Sequence, residues 1–202
     1  MTPPLITGAG RSGTHYMHEL LCRLGINATH EYRYSLADLG FARDSRKTDV
    51  EVSWPGACAM LELDAPVAVQ LRDPRAWLLS STTSHVFGTP HHADAARQLY
   101  EHEPWLLAST DGQERAAAWY LEVLRRGLEI GAFIYFVESV TPALMRRLLA
   151  FLGLPECDDR TLADAIAAQP RASVSGKPPQ LRGAPGVNVS ALLSLARLWV
   201  SP

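Results

Sequence analysis

The chain opens with a strand, a glycine-rich loop and a helix, and this order constrains the fold more than any other feature. Residues 4–7 are an apolar run that predicts a buried strand, and the loop GAGRSGT follows at residues 8–14. Apolar side chains with the i, i+3, i+4, i+7 spacing of one helix face come next: Met17, Leu20, Leu21 and Leu24. Such a loop directs backbone N–H groups and the positive end of the helix toward one point, which suits a phosphate group.

Apolar strands and helical patterns then alternate along the chain. We expect buried strands at residues 67–71 and 133–137, and helices at about 93–100 and 113–128. A further helix is expected after Thr141, which has the position of an N-cap. This alternation predicts an α/β domain with a mostly parallel sheet.

Composition indicates one globular domain but no function. The 202 residues suit a single domain, and a net charge of −2 argues against a broadly basic nucleic-acid binder. The longest strongly apolar stretch, residues 130–137, is far shorter than the ~20 residues of a membrane helix, and no secretory signal is visible. The three cysteines have no metal-binding spacing and fit reduced thiols, so we expect a cytoplasmic location: Cys22, Cys58 and Cys157.

The glycine loop invites comparison with the G-x-x-x-x-G-K-[ST] loop of proteins that bind nucleoside triphosphates. Gly8 and Gly13 supply both glycines, but Thr14 and His15 stand where that loop has its lysine and its magnesium-binding hydroxyl. The cation lies inside the loop instead, as Arg11. The loop is therefore expected to bind a phosphate group without a metal ion.

The same glycines also fit the G-x-G-x-x-G spacing of dinucleotide-binding proteins. That class places an acidic residue about 20 residues further on, at the end of a second strand, and Glu31 is close to that distance. The loop alone leaves this alternative open.

A second candidate anion site follows the strand at residues 67–71. Arg72 begins the segment RDPRA, and Ser80 lies eight residues later. If a helix starts near Arg75, Ser80 faces back toward the strand end, where it and the planar guanidinium of Arg72 would clamp a second phosphate. Ligands of open α/β sheets bind at this end of the strands, and Glu138 is expected there too.

These two motifs resemble those of the sulfotransferases that use 3′-phosphoadenosine 5′-phosphosulfate (PAPS). Residues 6–14, ITGAGRSGT, are similar to the family's 5′-phosphosulfate loop, and the segment from Arg72 to Ser80 is similar to its 3′-phosphate motif. The Arg-Ser-Gly-Thr form of the loop resembles the branch that contains tyrosylprotein sulfotransferases and many bacterial relatives. The resemblance covers roughly residues 5–155, and it implies a P-loop-like, three-layer α/β fold in which helices flank the sheet.

The resemblance also implies roles for individual residues. At the 5′-phosphosulfate it places Arg11, Ser12, Gly13, Thr14 and His15. At the 3′-phosphate it places Arg72 and Ser80. Glu31 resembles the catalytic glutamate of tyrosylprotein sulfotransferases, with His30 as the second candidate base and Arg11 as the group that stabilises developing negative charge. Lys177 and Arg182 match the family's basic C-terminal loop only loosely.

The implied reaction is transfer of a sulfuryl group from PAPS to a hydroxyl group, without a metal ion, with 3′-phosphoadenosine 5′-phosphate (PAP) as product. A P-loop kinase for a small molecule and a nucleotide-binding module without catalysis stay open as alternatives. Nothing identifies the acceptor; we expect a small molecule or a glycan, and no nucleic-acid or membrane partner. Nothing indicates the oligomeric state.

Two further expectations concern a metal and a lid. The adjacent His91 and His92 have no third ligand at a useful spacing, so no metal site is expected. We expect residues 1–202 to form one domain, in which the Pro- and Gly-rich residues 170–186 are a mobile loop that closes over the cofactor.

Overall fold

The structure is a computed structural model that describes residues 2–34, 47–82, 87 and 94–169. The strands of this part of the chain form one sheet: β1 (Leu5–Thr7), β2 (Ala28–His30), β3 (Val50–Val52), β4 (Val67–Leu71) and β5 (Phe133–Phe136). Their order is β2-β3-β1-β4-β5, and every neighbouring pair is parallel. The expected α/β fold with a parallel sheet is therefore confirmed.

The described residues also contain these helices: α1 (Thr14–Arg23), α2 (Pro74–Thr82), α3 (Asp94–His102), α4 (Gly112–Glu129), α5 (Pro142–Leu152) and α6 (Asp159–Ala168). The sequence predicts all of them except α6. It also does not predict the strands β2 (ATH) and β3 (VEV), because neither forms an apolar run like that of β1. The strand expected to end at Val137 ends at Phe136, where a 3₁₀ turn (Val137–Ser139) begins.

Helices cover both faces of the sheet and produce two apolar cores. In β1, Leu5 points into the core formed with α2, α3 and α4, whereas Ile6 points into the core formed with α1, α5 and α6. This alternation is the ordinary consequence of a strand's two-residue period. The three-layer arrangement is thereby confirmed, and the aromatic residues Trp119 and Tyr120 are buried in the first core.

Both ends of α5 have residues that are typical of helix ends, Thr141 at the start and Gly153 at the end. The Thr141 side chain accepts a hydrogen bond from the backbone N–H of Leu144, which is the geometry of an N-cap. Gly153 ends the helix with φ of 66°. Within the described ranges, no helix is both long and apolar enough to span a membrane.

Candidate active site

The glycine loop between β1 and α1 has a backbone that few residues other than glycine adopt. Gly10, Arg11 and Gly13 have φ of 76°, 51° and 94°, in the left-handed region that favours glycine. A Cβ atom at Gly8 would lie 2.4 Å from the backbone oxygen of Gln70. The loop therefore lies directly against β4, and its glycines are required by this close approach.

Three buried hydrogen bonds hold the loop in place. The side chain of Gln70 donates to the backbone oxygen of Ser12 at 2.8 Å, and Tyr135 on β5 donates its hydroxyl proton to Gln70 Oε1 at 2.7 Å. From the other side, the indole N–H of Trp77 donates to the backbone oxygen of Gly10 at 2.5 Å. The loop is thus fixed by residues of β4, β5 and α2.

Ser12 lies in this loop, but its side chain is not among those that line the cleft beside it. The side chain is fully buried, and its hydroxyl group makes no hydrogen bond with the described residues. It instead fills the space in front of Gly8, where a Cβ atom would lie 2.2 Å from Ser12 Oγ. A contact between the Ser12 backbone and a phosphate stays a prediction.

The second predicted anion motif adjoins the first. α2 begins at Pro74, and the carboxylate of Asp73 accepts hydrogen bonds from the first free N–H groups of the helix. Arg72 at the end of β4 lies 3.8 Å from Glu138 (Nε to Oε1). Arg11 Nε donates a hydrogen bond to Ser80 Oγ at 3.2 Å, across 69 positions of sequence, so the glycine loop contacts α2. The expected pairing of Arg72 with Ser80 at a phosphate stays a prediction.

The two candidate bases lie at the end of β2, which is His30, and in the turn that follows it, which begins with Glu31. Glu31 has φ of 52°, and its carboxylate lies 3.6 Å from His30 Nε2. The His30 ring is also 3.4 Å from the hydroxyl group of Thr14 at the start of α1. The side chains of His30 and Glu31 are 24% and 28% exposed, so both are reachable from the cleft but largely shielded from water.

Glu51 on β3 holds this turn in place through hydrogen bonds. Its side chain is fully buried, yet the carboxylate accepts hydrogen bonds from the N–H groups of Tyr32 and Arg33 and from the hydroxyl group of Thr29. A buried carboxylate with several donors is well satisfied. Glu51 is therefore the anchor of the turn that carries Glu31.

Burial and neighbouring charges shift the pKa values of both candidate bases. Burial, followed by the negative charge of Glu51, raises the pKa of Glu31 above its usual value. Burial, followed by the charges of His18 and His15, lowers the pKa of His30 to about 4. With this pKa, His30 is an uncharged imidazole at neutral pH, and Glu31 is a stronger base than an ordinary carboxylate.

One cleft of about 390 Å³ brings together most of the residues that the sequence singled out. The predicted residues along it are Arg11, Gly13, Thr14, His15, His30, Glu31, Arg72 and Ser80. Lys177, Arg182 and the expected loop 170–186 lie outside the described residues. The cleft stands at the carboxyl ends of the strands, the position at which open α/β sheets bind ligands.

Sequence reasoning missed four residues of this region: Tyr16, Trp54 and Gln169, which line the cleft, and the buried anchor Glu51. Trp54 reads as a core residue, but it also lines the cleft and packs on Gly10, where a Cβ atom would lie 3.4 Å from the indole. Gln169 reaches the cleft from the end of α6 and accepts a hydrogen bond from Arg23 at 2.8 Å. No local pattern marks Gln169 or the anchor Glu51, because both act through contacts that are distant in sequence.

A second cavity, of about 490 Å³, lies along α5, away from the strand ends. Its lining includes Arg146, Arg147, Glu156 and Cys157. Arg146 is engaged with Asp159 at 3.0 Å, and the lining residues include none of the glycine-loop or β2-turn groups. The cleft at the strand ends is therefore the better candidate for an active site.

Strand order argues against the dinucleotide-binding alternative. In that fold the second strand lies beside the first, so that its terminal acidic residue reaches the ribose. Here β1 pairs with β3 and β4, while β2 is separated from β1 by β3. The strand that precedes Glu31 is therefore not in the position that this alternative needs.

The sheet order and glycine loop define an α/β fold of the P-loop type, and comparison with solved structures specifies it further. No family model matches the sequence, and no curated protein matches it. The fold is similar to the crystal structure of mouse sulfotransferase SULT7A1 complexed with PAP, with a TM-score of 0.51 and 13% sequence identity. The match covers 83% of this chain and 63% of that protein, so the chain spans less than two thirds of that protein's length. The likeness shows a sulfotransferase-like fold.

Proposed function

We propose that this protein transfers a sulfuryl group from PAPS to a hydroxyl group of an acceptor. The observation that carries the proposal is the contact between Arg11 and Ser80, which brings the two anion-binding motifs of the sequence to one cleft. Glu31 lines the same cleft. Two anion sites next to one candidate base match the needs of a doubly phosphorylated donor and an acceptor that must lose a proton.

The residues present fit such a donor. Arg11 and the glycine loop offer a guanidinium and a close-packed backbone to the 5′ end, and Arg72 with Ser80 offers a second cationic site to the 3′-phosphate. When bound, PAPS would supply the sulfuryl group and leave as PAP. The new bond would join the acceptor oxygen to sulfur as the bond between sulfur and the phosphate oxygen breaks.

Glu31 is our choice for the group that accepts the proton of the acceptor hydroxyl. Its raised pKa and partial burial suit that task, and the neutral His30 beside it is the second choice. Arg11 would stabilise the negative charge that develops on the leaving oxygen. The arginine in the loop together with Glu31 favours the branch that includes tyrosylprotein sulfotransferases.

The proposal also covers the acceptor molecule and the cellular compartment of the protein. We keep a small molecule or a glycan as the expected acceptor, because a net charge of −2 gives no sign of a strongly charged polymeric partner. The three cysteines are unpaired, and burial raises the pKa of the Cys58 thiol to about 12, so that thiol is unreactive at neutral pH. Unpaired thiols support a cytoplasmic protein.

Two substitutions with matched controls test these roles. Arg11→Ala should weaken the binding of PAP by roughly 10–100-fold, the effect of losing a charged hydrogen-bond donor, whereas Arg160→Ala, at an exposed arginine of α6 outside the cleft, should leave it within about twofold. Glu31→Gln should keep PAP affinity but lower sulfuryl transfer from labelled PAPS to a panel of phenols and sugars by about 10²–10⁴-fold. Glu62→Gln, at an exposed glutamate, is its control. Full turnover in Glu31→Gln would reject Glu31 as the base.

A further inference from the structure

Three imidazole rings converge beside the first turns of α1. His15 and His18 lie three residues apart on the helix, and His30 approaches from the end of β2. Their ring centroids are separated by 6.3 Å (His15–His18), 5.4 Å (His15–His30) and 5.5 Å (His18–His30). Glu19 follows His18 and adds a carboxylate to this group, so the cluster combines the donor types that transition metals prefer.

The donor atoms of three residues lie near one another on the first turns of α1. One ligand atom each from His15, His18 and Glu19 lie within 4.8 Å of one another, and the distance from His18 Nδ1 to Glu19 Oε1 is 3.6 Å. Two ligands of a tetrahedral zinc ion are about 3.4 Å apart, given bonds of about 2.0–2.1 Å. Binding an ion would therefore draw the most distant of these atoms together by as much as about 1.4 Å (4.8 − 3.4 Å).

His18 carries a buried nitrogen atom, Nδ1, that lies 3.6 Å from Glu19 Oε1, beyond hydrogen-bond distance. Its Nδ1 atom is buried and makes no hydrogen bond with the described residues, although buried polar atoms in proteins are nearly always satisfied. Its other nitrogen, Nε2, lies 3.5 Å from the thiol of Cys22. A ring held at one nitrogen by a second group, with the other nitrogen directed into a donor cluster, is the usual arrangement of a metal-binding histidine.

We propose that His15, His18 and Glu19 bind one divalent transition-metal ion, for which zinc is the best fit. Three protein ligands leave a fourth position open, and because His15 also lines the cleft, this site adjoins the candidate active site. Imidazole donors distinguish it from a magnesium site, whose ligands are oxygen atoms. The proposal revises the expectation of no metal, and it does not depend on sulfuryl transfer.

Zinc binding to the full-length protein tests the proposal. After treatment with a chelator that is then removed, the protein is titrated with zinc chloride against a chromophoric zinc indicator, and we expect one ion per chain. His18→Ala and Glu19→Gln should each weaken binding by more than about tenfold, whereas His102→Ala, at an exposed histidine on α3, should not. Cobalt(II) in place of zinc should give the visible absorption of a tetrahedral site, and His18→Ala should remove it.

Clear outcomes would overturn the proposal. The proposal is wrong if the wild-type protein binds no stoichiometric zinc. It is also wrong if zinc binding survives His18→Ala, because the zinc site would then lie elsewhere in the chain. Circular dichroism and thermal melting establish that each variant is folded. PAP binding is measured in parallel: loss of zinc from a His18→Ala variant that still binds PAP supports the metal site, whereas wild-type protein that binds zinc but not PAP rejects only the sulfotransferase function.

Discussion

Replacement of Glu51 by glutamine should shift the pH dependence of catalysis while leaving PAP affinity unchanged. Glu51 does not line the cleft, but its buried carboxylate accepts hydrogen bonds from Thr29, Tyr32 and Arg33 and so fixes the turn that carries Glu31. Its negative charge is also one cause of the raised pKa of Glu31. The substitution therefore removes both an anchor and a charge.

The size of each effect follows from these contacts. A hydrogen bond to a charged group contributes about 1 kcal/mol more than a neutral one, so weakening the three bonds to Glu51 destabilises the fold. Burying a neutral amide in place of a charge recovers part of this free energy. The free energy of unfolding should therefore fall by about 2 kcal/mol. For a chain of this length that corresponds to a Tm lower by roughly 4–8 °C. A displaced carboxylate at Glu31 should lower kcat by about 10–100-fold.

The sign of the pH effect is set by the charge on Glu51. A negative neighbour stabilises the protonated form of Glu31, so its removal should lower the Glu31 pKa and move the acid limb of the kcat/KM profile to lower pH. Glu103→Gln is the control, since Glu103 is a buried carboxylate that pairs with Arg126 at 2.7 Å outside the cleft. An acid limb that stays in place, or moves to higher pH, in Glu51→Gln would refute this reasoning.

Two further substitutions distinguish a contact that should affect PAP affinity from one that should affect only the stability of the fold. Tyr135→Phe removes the hydroxyl group that holds Gln70 against the glycine loop. The loss of one hydrogen bond, about 1 kcal/mol, should lower PAP affinity by about 5–10-fold in a calorimetric titration. Unchanged affinity would mean that this bond does not hold the loop. Thr141→Ala removes the N-cap of α5 and should cost about 1 kcal/mol in urea unfolding with no change in PAP affinity; a large change in affinity would contradict the separation.

The parts of the site that the sequence predicts are those whose residues form short local patterns. The glycine loop, the segment from Arg72 to Ser80 and the longer helices each carry their signal within a dozen residues, and their chemistry follows from residue type. That both motifs lie at one edge of the sheet then follows from a general property of parallel sheets, whose strands present their carboxyl ends at one edge. The hydrogen bond between Arg11 and Ser80 is not predicted by that property.

The remaining parts depend on contacts that local sequence does not encode. Neither β2 nor β3 forms an apolar run like that of β1, so neither the strand order nor the position of Glu31 relative to β1 could be predicted. Glu51 looks like an ordinary polar residue in a strand until its donors, 18 to 22 positions earlier in the chain, are seen around it. Gln169 likewise reaches the cleft only because α6 packs back onto α1.

The binding of PAP to the wild-type protein tests the central claim most directly. Calorimetric titrations would compare PAP, in buffer containing a chelator, with ATP in the presence of Mg²⁺. We expect saturable 1:1 binding of PAP without metal, and much weaker binding of Mg-ATP, because the loop has Thr14 and His15 in place of the lysine and hydroxyl that a triphosphate requires. Tight binding of Mg-ATP with no binding of PAP would contradict the account and favour a kinase.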